Sequence, residues 1–339
     1  YKELYSYEDW QGIEEGTYQN YKLMNDIDFT GRDNIKSNVT MSRLESSGST
    51  LKNIEIEVSG QFSGLIREIR TNLEGVNFEN IRIIGTSSHL GIIGKSTAEV
   101  KNIKFKDITV TSPYDRIGSI GNQEIGKVEN IELENITITG RSNVGGLIGY
   151  SKSIITDIQA TNITIQGNGE RTGGIVGYNV NPGTINNTEI QDSNITGTGN
   201  YVGGIAGYYN SADTNNVSNL KSTNNKIQSK GDNVGGIVGY FNPRDNGIAE
   251  YFEVDNSEIS GKSNIGGLIG YSNFGNGYIQ YSNVNNSLVE GISANSSNVG
   301  GMTGQASNYI RYDYVQNSEI TSNGTKVGGI VGNYTFRTI

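Results

Sequence analysis

A short glycine-rich word recurs along the chain at a nearly constant interval, and this recurrence restricts the fold more than any other feature. In its clearest form the word is Gly-Gly, two aliphatic residues, Gly and Tyr. Successive copies are 27 to 34 residues apart, as shown by the glycine before the aliphatic pair, which falls at Gly64, Gly91, Gly118, Gly146, Gly174, Gly204, Gly236, Gly267, Gly301 and Gly329. Ten copies at such a period indicate a repeat architecture, in which each unit stacks on its neighbours.

The residues between two glycine words alternate as short β-strands do. Within residues 128–140 the apolar side chains are two or three positions apart, at Val128, Ile131, Leu133, Ile136 and Ile138. This is strand alternation interrupted by corners, and residues 145–150 of the glycine word supply a further strand. About three short strands and no helix per repeat predict an all-β chain, a right-handed parallel β-helix of about ten coils.

Asparagine or aspartate occupies one position in nine successive repeats. These residues are Asn80, Asp107, Asn135, Asn162, Asp192, Asn224, Asn256, Asn286 and Asn317. In stacked parallel coils they would lie about 4.8 Å apart, where side-chain amides can hydrogen-bond along the stack. Asparagine also tolerates the left-handed backbone that a coil corner needs. We therefore predict a structural asparagine ladder at this position.

Tyrosine marks two further columns. Five residues upstream of the asparagine ladder, a weaker column runs from Asn102 to Asn219 and changes to tyrosine at Tyr251, Tyr281 and Tyr312. Directly after the glycine word stand the candidate binding residues Tyr150, Tyr178, Tyr208, Tyr240 and Tyr271. If this second column faces outward, it forms an aromatic stripe with hydroxyl tips that suits binding to a protein or a glycan. If it faces inward or covers a corner, it serves packing, and the sequence leaves both alternatives open.

The first 50 residues differ from the repeats and predict a cap followed by an irregular first coil. Ser6 is a suitable N-cap for a short amphipathic helix that contains Trp10, and residues 20–30 alternate as a strand. Such a cap would cover the open end of the stack, which otherwise exposes apolar side chains and unpaired backbone. The repeat region spans residues 51–339. Since the chain does not begin with methionine and ends just after a glycine word, we expect it to continue into a longer parent protein.

Charge and composition argue against several classes of function. A net charge of −9 repels phosphate backbones and anionic lipids, so no nucleic-acid partner is expected. No apolar run is long enough for membrane insertion. The sequence has no cysteine and a single histidine, His89, which excludes disulfides, thiolate metal sites and a histidine zinc triad. The glycine words lack the lysine of a phosphate-binding loop, so we interpret their glycines as places where tight stacking excludes a β-carbon.

Many β-helix proteins are polysaccharide lyases or glycosidases, which need two or three carboxylates on one face, so neighbouring charged residues that include a carboxylate are candidate catalytic groups. The candidates are two carboxylate pairs, Asp26 with Asp28 and Asp245 with Glu250, and one carboxylate next to an arginine, Asp115 with Arg116. None of them forms a convergent cluster in the sequence. We therefore expect no catalytic residue, no metal and no cofactor in this chain.

The glycine words resemble the GLUG motif, named for its Gly-Leu-any-Gly core. They read GLIG, GIVG, GIAG, GIVG, GLIG and GIVG at Gly146, Gly174, Gly204, Gly236, Gly267 and Gly329. This motif occurs in large secreted bacterial adhesins and in the N-terminal regions of the immunoglobulin A1-specific zinc metallopeptidases of Gram-positive bacteria. Residues 21–29, YKLMNDIDF, resemble the strand that opens such β-helix regions. The zinc ligands and catalytic glutamate of these peptidases have no counterpart in this sequence.

The resemblance implies a secreted or cell-wall-anchored protein. On this basis we expect a non-catalytic substrate-binding and spacer domain of an immunoglobulin A1 protease-like zinc metallopeptidase. Its partners would be a host protein such as immunoglobulin A1 and the catalytic domain of the parent chain. Two alternatives stay open, an adhesin stalk that binds a host protein or glycan and a polysaccharide-degrading β-helix enzyme. An outward tyrosine stripe would favour the first two functions, and a groove with clustered carboxylates would favour the third.

Overall fold

The computed structural model describes residues 1–211, 216–244 and 246–335, which fold as a parallel β-solenoid of stacked coils. Each strand pairs in parallel with the equivalent strand one repeat away. Ile148, for example, pairs with Val176, which in turn pairs with Ala206. The predicted all-β fold of about ten stacked coils is therefore confirmed.

Each coil begins with the glycine word, and its strands recur in the same places. The marker wall consists of the strands that follow the glycine words: Ile93–Ser96, Ile120–Gln123, Ile148–Ser151, Val176–Val180, Ala206–Asn210, Val238–Asn242, Ile269–Ser272, Thr303–Ala306 and Val331–Tyr334. A separate sheet lies just before the marker wall in the chain: Val144–Gly145, Thr172–Gly173, Val202–Gly203, Val234–Gly235, Ile265–Gly266, Ser297–Gly300 and Thr325–Gly328. Residues 145–150, expected to form one strand, are thus divided between two sheets because the chain turns at the glycine pair.

After the marker wall, the rest of each coil turns at two corners. In early coils this part is one long bent strand: Glu99–Thr111, Lys127–Gly140 and Ile154–Gly167. Later coils divide it into shorter strands: Thr184–Gln191, Asn194–Gly197, Val217–Thr223, Lys226–Ser229, Ile248–Asp255, Glu258–Gly261, Tyr278–Gln280, Asn283–Asn285, Leu288–Gly291, Tyr309–Arg311, Tyr314–Gln316 and Glu319–Ser322. The N-terminal strands are Lys2–Leu4, Asn20–Leu23, Ile27–Asp28, Val39–Glu45, Thr50–Val58, Ile66–Glu74 and Asn77–Gly85.

The core is a column of apolar side chains stacked from coil to coil. One row runs through Ile138, Ile165, Ile195, Ile227 and Ile259, all buried and in register. Burying one such side chain contributes about 1.5–3 kcal/mol, so the repeated rows stabilise the stack without any large single core. Along Lys127–Gly140 and Ile154–Gly167 the buried positions alternate with half-buried or exposed ones, as expected when one face of a strand packs on the core.

Glycine is required where successive coils touch. A β-carbon on Gly146 would overlap the carbonyl oxygen of Gly174, and one on Gly174 would overlap that of Gly204. The same overlap recurs at Gly204 and Gly236. Close backbone approach between coils therefore explains why the word contains glycine at this position, as the sequence predicts.

The N-terminal end is closed by the expected helix, Tyr7–Gln11, with Ser6 as its N-cap. Trp10 is completely buried, and its indole nitrogen donates to the carbonyl oxygen of Lys36 at 2.9 Å, so its role is to cover the end of the core. Strand Val39–Glu45 pairs with Ile66–Glu74 through two register shifts, which makes the first coil irregular.

Candidate binding surfaces

The five tyrosines after the glycine words form one outward row, which we call the marker ladder: Tyr150, Tyr178, Tyr208, Tyr240 and Tyr271. Strand register pairs each of them with the next one along the solenoid axis. Each side chain is partly exposed, while the residue on either side of it in the strand is buried. The column therefore faces outward from the marker wall, which decides between the two orientations left open by the sequence.

The rings of the marker ladder pack directly on one another. Their centroids are 5.6 Å apart for Tyr150 and Tyr178, 5.1 Å for Tyr178 and Tyr208, and 5.2 Å for Tyr240 and Tyr271, all edge to face. Tyr208 and Tyr240 are stacked at 4.5 Å. Aromatic pairs of this kind contribute about 0.5–1.5 kcal/mol each, so the ladder is rigid as well as partly exposed.

Two arginines cover part of the marker ladder. The Arg116 guanidinium lies 4.2 Å from the ring centroid of Tyr150, and that of Arg171 lies 4.7 Å from Tyr178 and 5.5 Å from Tyr208. The Tyr201 ring, in turn, packs 4.9 Å from Tyr208. The surface thus combines aromatic rings with cation–π contacts.

These flanking side chains belong to a third column of left-handed corners, which was not among the columns predicted from the sequence. Its members have φ between 53° and 68° and precede the separate sheet or its equivalent: Asn38, Phe62, His89, Arg116, Asn143, Arg171, Tyr201, Asn233, Asn264, Asn298 and Lys326. The residue types vary, and from Phe62 onwards the one sequence signal is a position two residues before the first glycine of each glycine word; Asn38 precedes no such word.

Burial raises the pKa of two tyrosines at this surface, Tyr208 and Tyr201. The pKa of Tyr208 is raised well above its usual value by burial and by the neighbouring Tyr240 and Tyr178. The pKa of Tyr201 is raised by burial and by the charge of Glu170. At neutral pH Tyr208 and Tyr201 therefore present neutral hydroxyl groups close to the Arg171 guanidinium.

The nine predicted asparagine-ladder residues occupy one corner of successive coils, with φ between 47° and 58°. Asn135 donates to Asp107 at 2.7 Å, Asn162 to Asn135 at 2.7 Å, and Asn256 to Asn224 at 2.9 Å. Asn286 departs from the pattern and donates to Asp255 at 2.9 Å. The side chains at this corner thus serve the stack, and the left-handed backbone explains the choice of Asn and Asp.

The other left-handed corner carries the tyrosines Tyr251, Tyr281 and Tyr312, which we call the corner ladder. Their rings are nearly parallel, with centroids 5.6 Å and 5.2 Å apart. All three are exposed, unlike the marker tyrosines. The sequence shows the change from asparagine to tyrosine here, but it gives no indication of exposure.

The candidate catalytic carboxylates form hydrogen bonds and ion pairs between coils. Asp28 accepts hydrogen bonds from Thr30 and Asn53, which lower its pKa to about 2. Asp115 binds Arg141 through both carboxylate oxygens, and Asp26 accepts from the backbone of Thr50. Asp245 lies outside the described residues.

No metal-binding group emerges from the described residues. Within residues 1–211, 216–244 and 246–335, no three His, Cys, Asp or Glu side chains are grouped so that they could hold an ion. The His89 ring packs against Phe62 with the ring centroids 4.5 Å apart and the planes tilted by 52°, and burial together with the charge of Arg116 lowers its pKa to about 4. Its imidazole is therefore neutral at neutral pH.

Comparison with known proteins gives no match: no family model, no curated protein and no solved structure matches the chain. Among the residues that the structure describes, none forms a helix with the length and hydrophobicity needed to span a bilayer. The surfaces themselves therefore carry the functional argument.

Proposed function

We propose that this chain is a non-catalytic binding and spacer domain of a secreted or surface-anchored bacterial protein, and that the marker ladder contacts a host protein. The observation that carries the proposal is the marker ladder itself, five outward tyrosines in contact over five successive coils with two arginines above their rings. Tyrosine and arginine are the side chains most enriched among the residues that dominate protein-binding energy.

The solenoid suits a spacer because its geometry is continuous and rigid. Ten coils at about 4.8 Å each extend roughly 45–50 Å, and every coil is hydrogen-bonded to the next. A surface held on such a frame loses little conformational entropy on binding, which favours affinity. If the partner is a substrate, this positioning can contribute several kcal/mol to a reaction at a distant catalytic site.

The resemblance of the glycine words to the GLUG motif supports a more specific form of the proposal. In that form the chain belongs to an immunoglobulin A1 protease-like zinc metallopeptidase and helps to hold immunoglobulin A1 for the catalytic domain of the parent chain. An adhesin stalk would use the same ladder without a catalytic partner. The two forms therefore differ in the parent reading frame rather than in this surface.

Calorimetry with immunoglobulin A1 tests the proposal. The wild-type chain should bind, and the triple variant Tyr178→Ser, Tyr208→Ser, Tyr240→Ser should lose binding while circular dichroism still shows a folded β-protein. A second triple variant with phenylalanine at the same positions keeps the ring packing. Binding by the phenylalanine variant alone would assign the affinity to the rings, and loss in both would assign it to the hydroxyl groups.

Unchanged binding in the folded serine variant would remove the marker ladder from the proposal. A wild-type chain that binds neither immunoglobulin A1 nor any protein from host secretions would overturn it. The matched control is a chain with asparagine at Tyr251, Tyr281 and Tyr312, which leaves the marker ladder untouched. This control should bind immunoglobulin A1 as the wild type does.

A further inference from the structure

Three successive coils place a tyrosine at a corner where the five preceding coils use asparagine or aspartate. The earlier residues are Asn102, Asn130, Asp157, Asn187 and Asn219, and the later ones form the corner ladder. We propose that the corner ladder and the groove continuous with it bind a neutral polysaccharide chain lying along the solenoid axis. The proposal involves other residues than the marker ladder and does not depend on the function assigned to it.

The backbone indicates that the corner tyrosines are not there to stabilise the fold. Tyr251, Tyr281 and Tyr312 have φ of 58°, 54° and 59°, within the left-handed region. A bulky side chain is uncommon there, because its β-carbon crowds the backbone, whereas asparagine enters this region readily. Strained residues that recur at one place are typical of functional surfaces.

The side chains of the corner tyrosines are exposed to solvent, unlike those of core residues. The exposed fractions are 51% for Tyr251, 46% for Tyr281 and 69% for Tyr312. Their rings are parallel within 16° and 7°, at centroid separations too large for full overlap. Each ring therefore keeps part of its surface open to solvent, and the three form a ridge of rings with hydroxyl tips. Such a ridge can pack against the C–H groups of a sugar ring and hydrogen-bond its hydroxyls.

A polar groove of about 530 Å³ runs along the same corner and reaches the ladder at Tyr251. Its lining includes Asn187 and Asn219, whose amides are linked at 2.9 Å, together with Gln159. A side-chain amide has two N–H donors and two acceptor positions, and one bond along the stack uses only part of this capacity. The groove thus offers repeated amide partners for hydroxyl groups.

The charges of the groove favour a neutral ligand. Its lining contains the carboxylates Asp157, Glu189 and Glu253 and one lysine, Lys221. The Lys221 ammonium lies 3.8 Å from Glu189 and 3.7 Å from Glu253, so its charge is compensated within the protein. A polyanionic chain would therefore meet net repulsion, whereas an uncharged polyol would not.

The periodicity of the groove favours a polymer. Equivalent amides and rings recur once per coil, at about 4.8 Å along the axis. A linear polysaccharide presents equivalent hydroxyls and C–H faces at a comparable regular interval, so several sugar units can make the same contacts. A globular protein surface has no such repeat, and this favours the polysaccharide over a protein at this corner.

Affinity electrophoresis in native gels tests the proposal with the described chain. Hydroxyethyl cellulose, galactomannan and dextran are the neutral probes, and polygalacturonate is the anionic one. We expect at least one neutral polymer to retard the wild-type chain. The variant Tyr251→Asn, Tyr281→Asn, Tyr312→Asn should bind that polymer at least about tenfold more weakly. Because asparagine suits a left-handed corner, its melting temperature should not fall.

Two further variants locate the ligand. Gln159→Ala changes an exposed residue of the groove and should weaken retardation if the polymer extends from the ladder into the groove. The matched control, Tyr178→Phe on the marker ladder, should be retarded as the wild type is. Equal retardation of Gln159→Ala and wild type would contradict the groove as part of the site.

The remaining outcomes each count against the proposal. Mobility that no neutral polymer changes would overturn it, as would a triple asparagine variant retarded as strongly as the wild type. Retardation by polygalacturonate alone would show an anionic ligand, and binding of proteins without polysaccharide would show that the ridge is a protein interface. The serine variant of the marker ladder tests a different proposal. Its loss of immunoglobulin A1 binding would neither support nor oppose polysaccharide binding at the corner ladder.

Discussion

In the marker ladder each tyrosine lies on strand backbone, partly buried between its neighbours, whereas in the corner ladder each tyrosine has a left-handed backbone and stands in solvent. Marker rings meet mainly edge to face with arginines above them, and corner rings lie parallel with little cover. The same residue type thus stabilises the stack in one place and strains it in the other. The position within the coil, and not the residue type, determines which effect dominates.

This difference bears on how function is recognised in a solenoid. A column whose side chains pack on one another and also face solvent can serve stability alone, so its binding role needs a direct test. A column that is strained and exposed contributes little to folding, so its recurrence over three coils favours a role other than folding. Stability measurements on the two ladders therefore provide the sharpest comparison.

The largest effect is expected when the marker ladder is truncated. Tyr178→Ser, Tyr208→Ser and Tyr240→Ser together remove the four ring contacts within the marker ladder and the two that Tyr201 makes with it, each worth about 0.5–1.5 kcal/mol. We expect the free energy of unfolding to fall by about 2–4 kcal/mol, less than the largest sum because contacts in one chain are not additive. Urea unfolding followed by circular dichroism measures it. A change near zero would mean that the marker ladder is not structural.

A smaller loss is expected when the corner ladder is extended by one coil. Asn219→Tyr places a tyrosine on a left-handed backbone, where φ is 57°, and removes the 2.9 Å bond from Asn219 to Asn187. Partial stacking on Tyr251 offsets part of this, so we expect a net loss of about 1 kcal/mol. The same variant should be retarded more strongly by the neutral polymer. A gain in stability would contradict the claim that tyrosine is strained at this corner.

The reverse change should stabilise the chain slightly. Asparagine at Tyr251, Tyr281 and Tyr312 relieves left-handed strain of about 1 kcal/mol per corner, and amide bonds along the stack can re-form. The loss of two stacked ring pairs costs about 0.5–1.5 kcal/mol each, so the net gain is about 1 kcal/mol. Urea unfolding, under the conditions used for the marker variant, gives the sign. Destabilisation beyond about 1 kcal/mol would show that the corner rings hold the coils together.

Much of this architecture follows from sequence because a solenoid repeats its constraints. Gly146 and Gly174 must be glycine, since the next coil's carbonyl occupies the space of a β-carbon, so the same word returns in every repeat. Asn135 and Asn162 recur because one corner is left-handed in every coil. Each constraint is local in space and periodic in sequence, which makes it readable without coordinates.

The parts that sequence did not reveal depend on contacts between columns. Arg116 and Arg171 lie over the marker ladder from a corner whose residue types vary, so no composition marks that column. The outward direction of Tyr150 depends on where the chain turns inside the glycine word, which a count of alternating residues does not resolve. The exposure of Tyr281 is likewise visible only in the packed structure, because tyrosine is found both in the core and at the surface. Periodicity shows which residues share a column, and packing decides what the column does.

The smallest expected effect concerns the pH dependence of the marker ladder. The pKa of Tyr208 is raised by burial and by Tyr240 and Tyr178, so the unfolded chain releases this proton first as the pH rises. Its contribution to stability is fully present below about pH 10 and decreases above it. Tyr208→Phe removes this titration, so its melting temperature should fall less steeply than the wild type's between about pH 10 and about pH 12. Below about pH 9 the two slopes should agree, which serves as the control. Parallel curves over the whole range would show that Tyr208 titrates alike in the folded and unfolded chain, and the marker ladder would then be as open to solvent as the corner ladder.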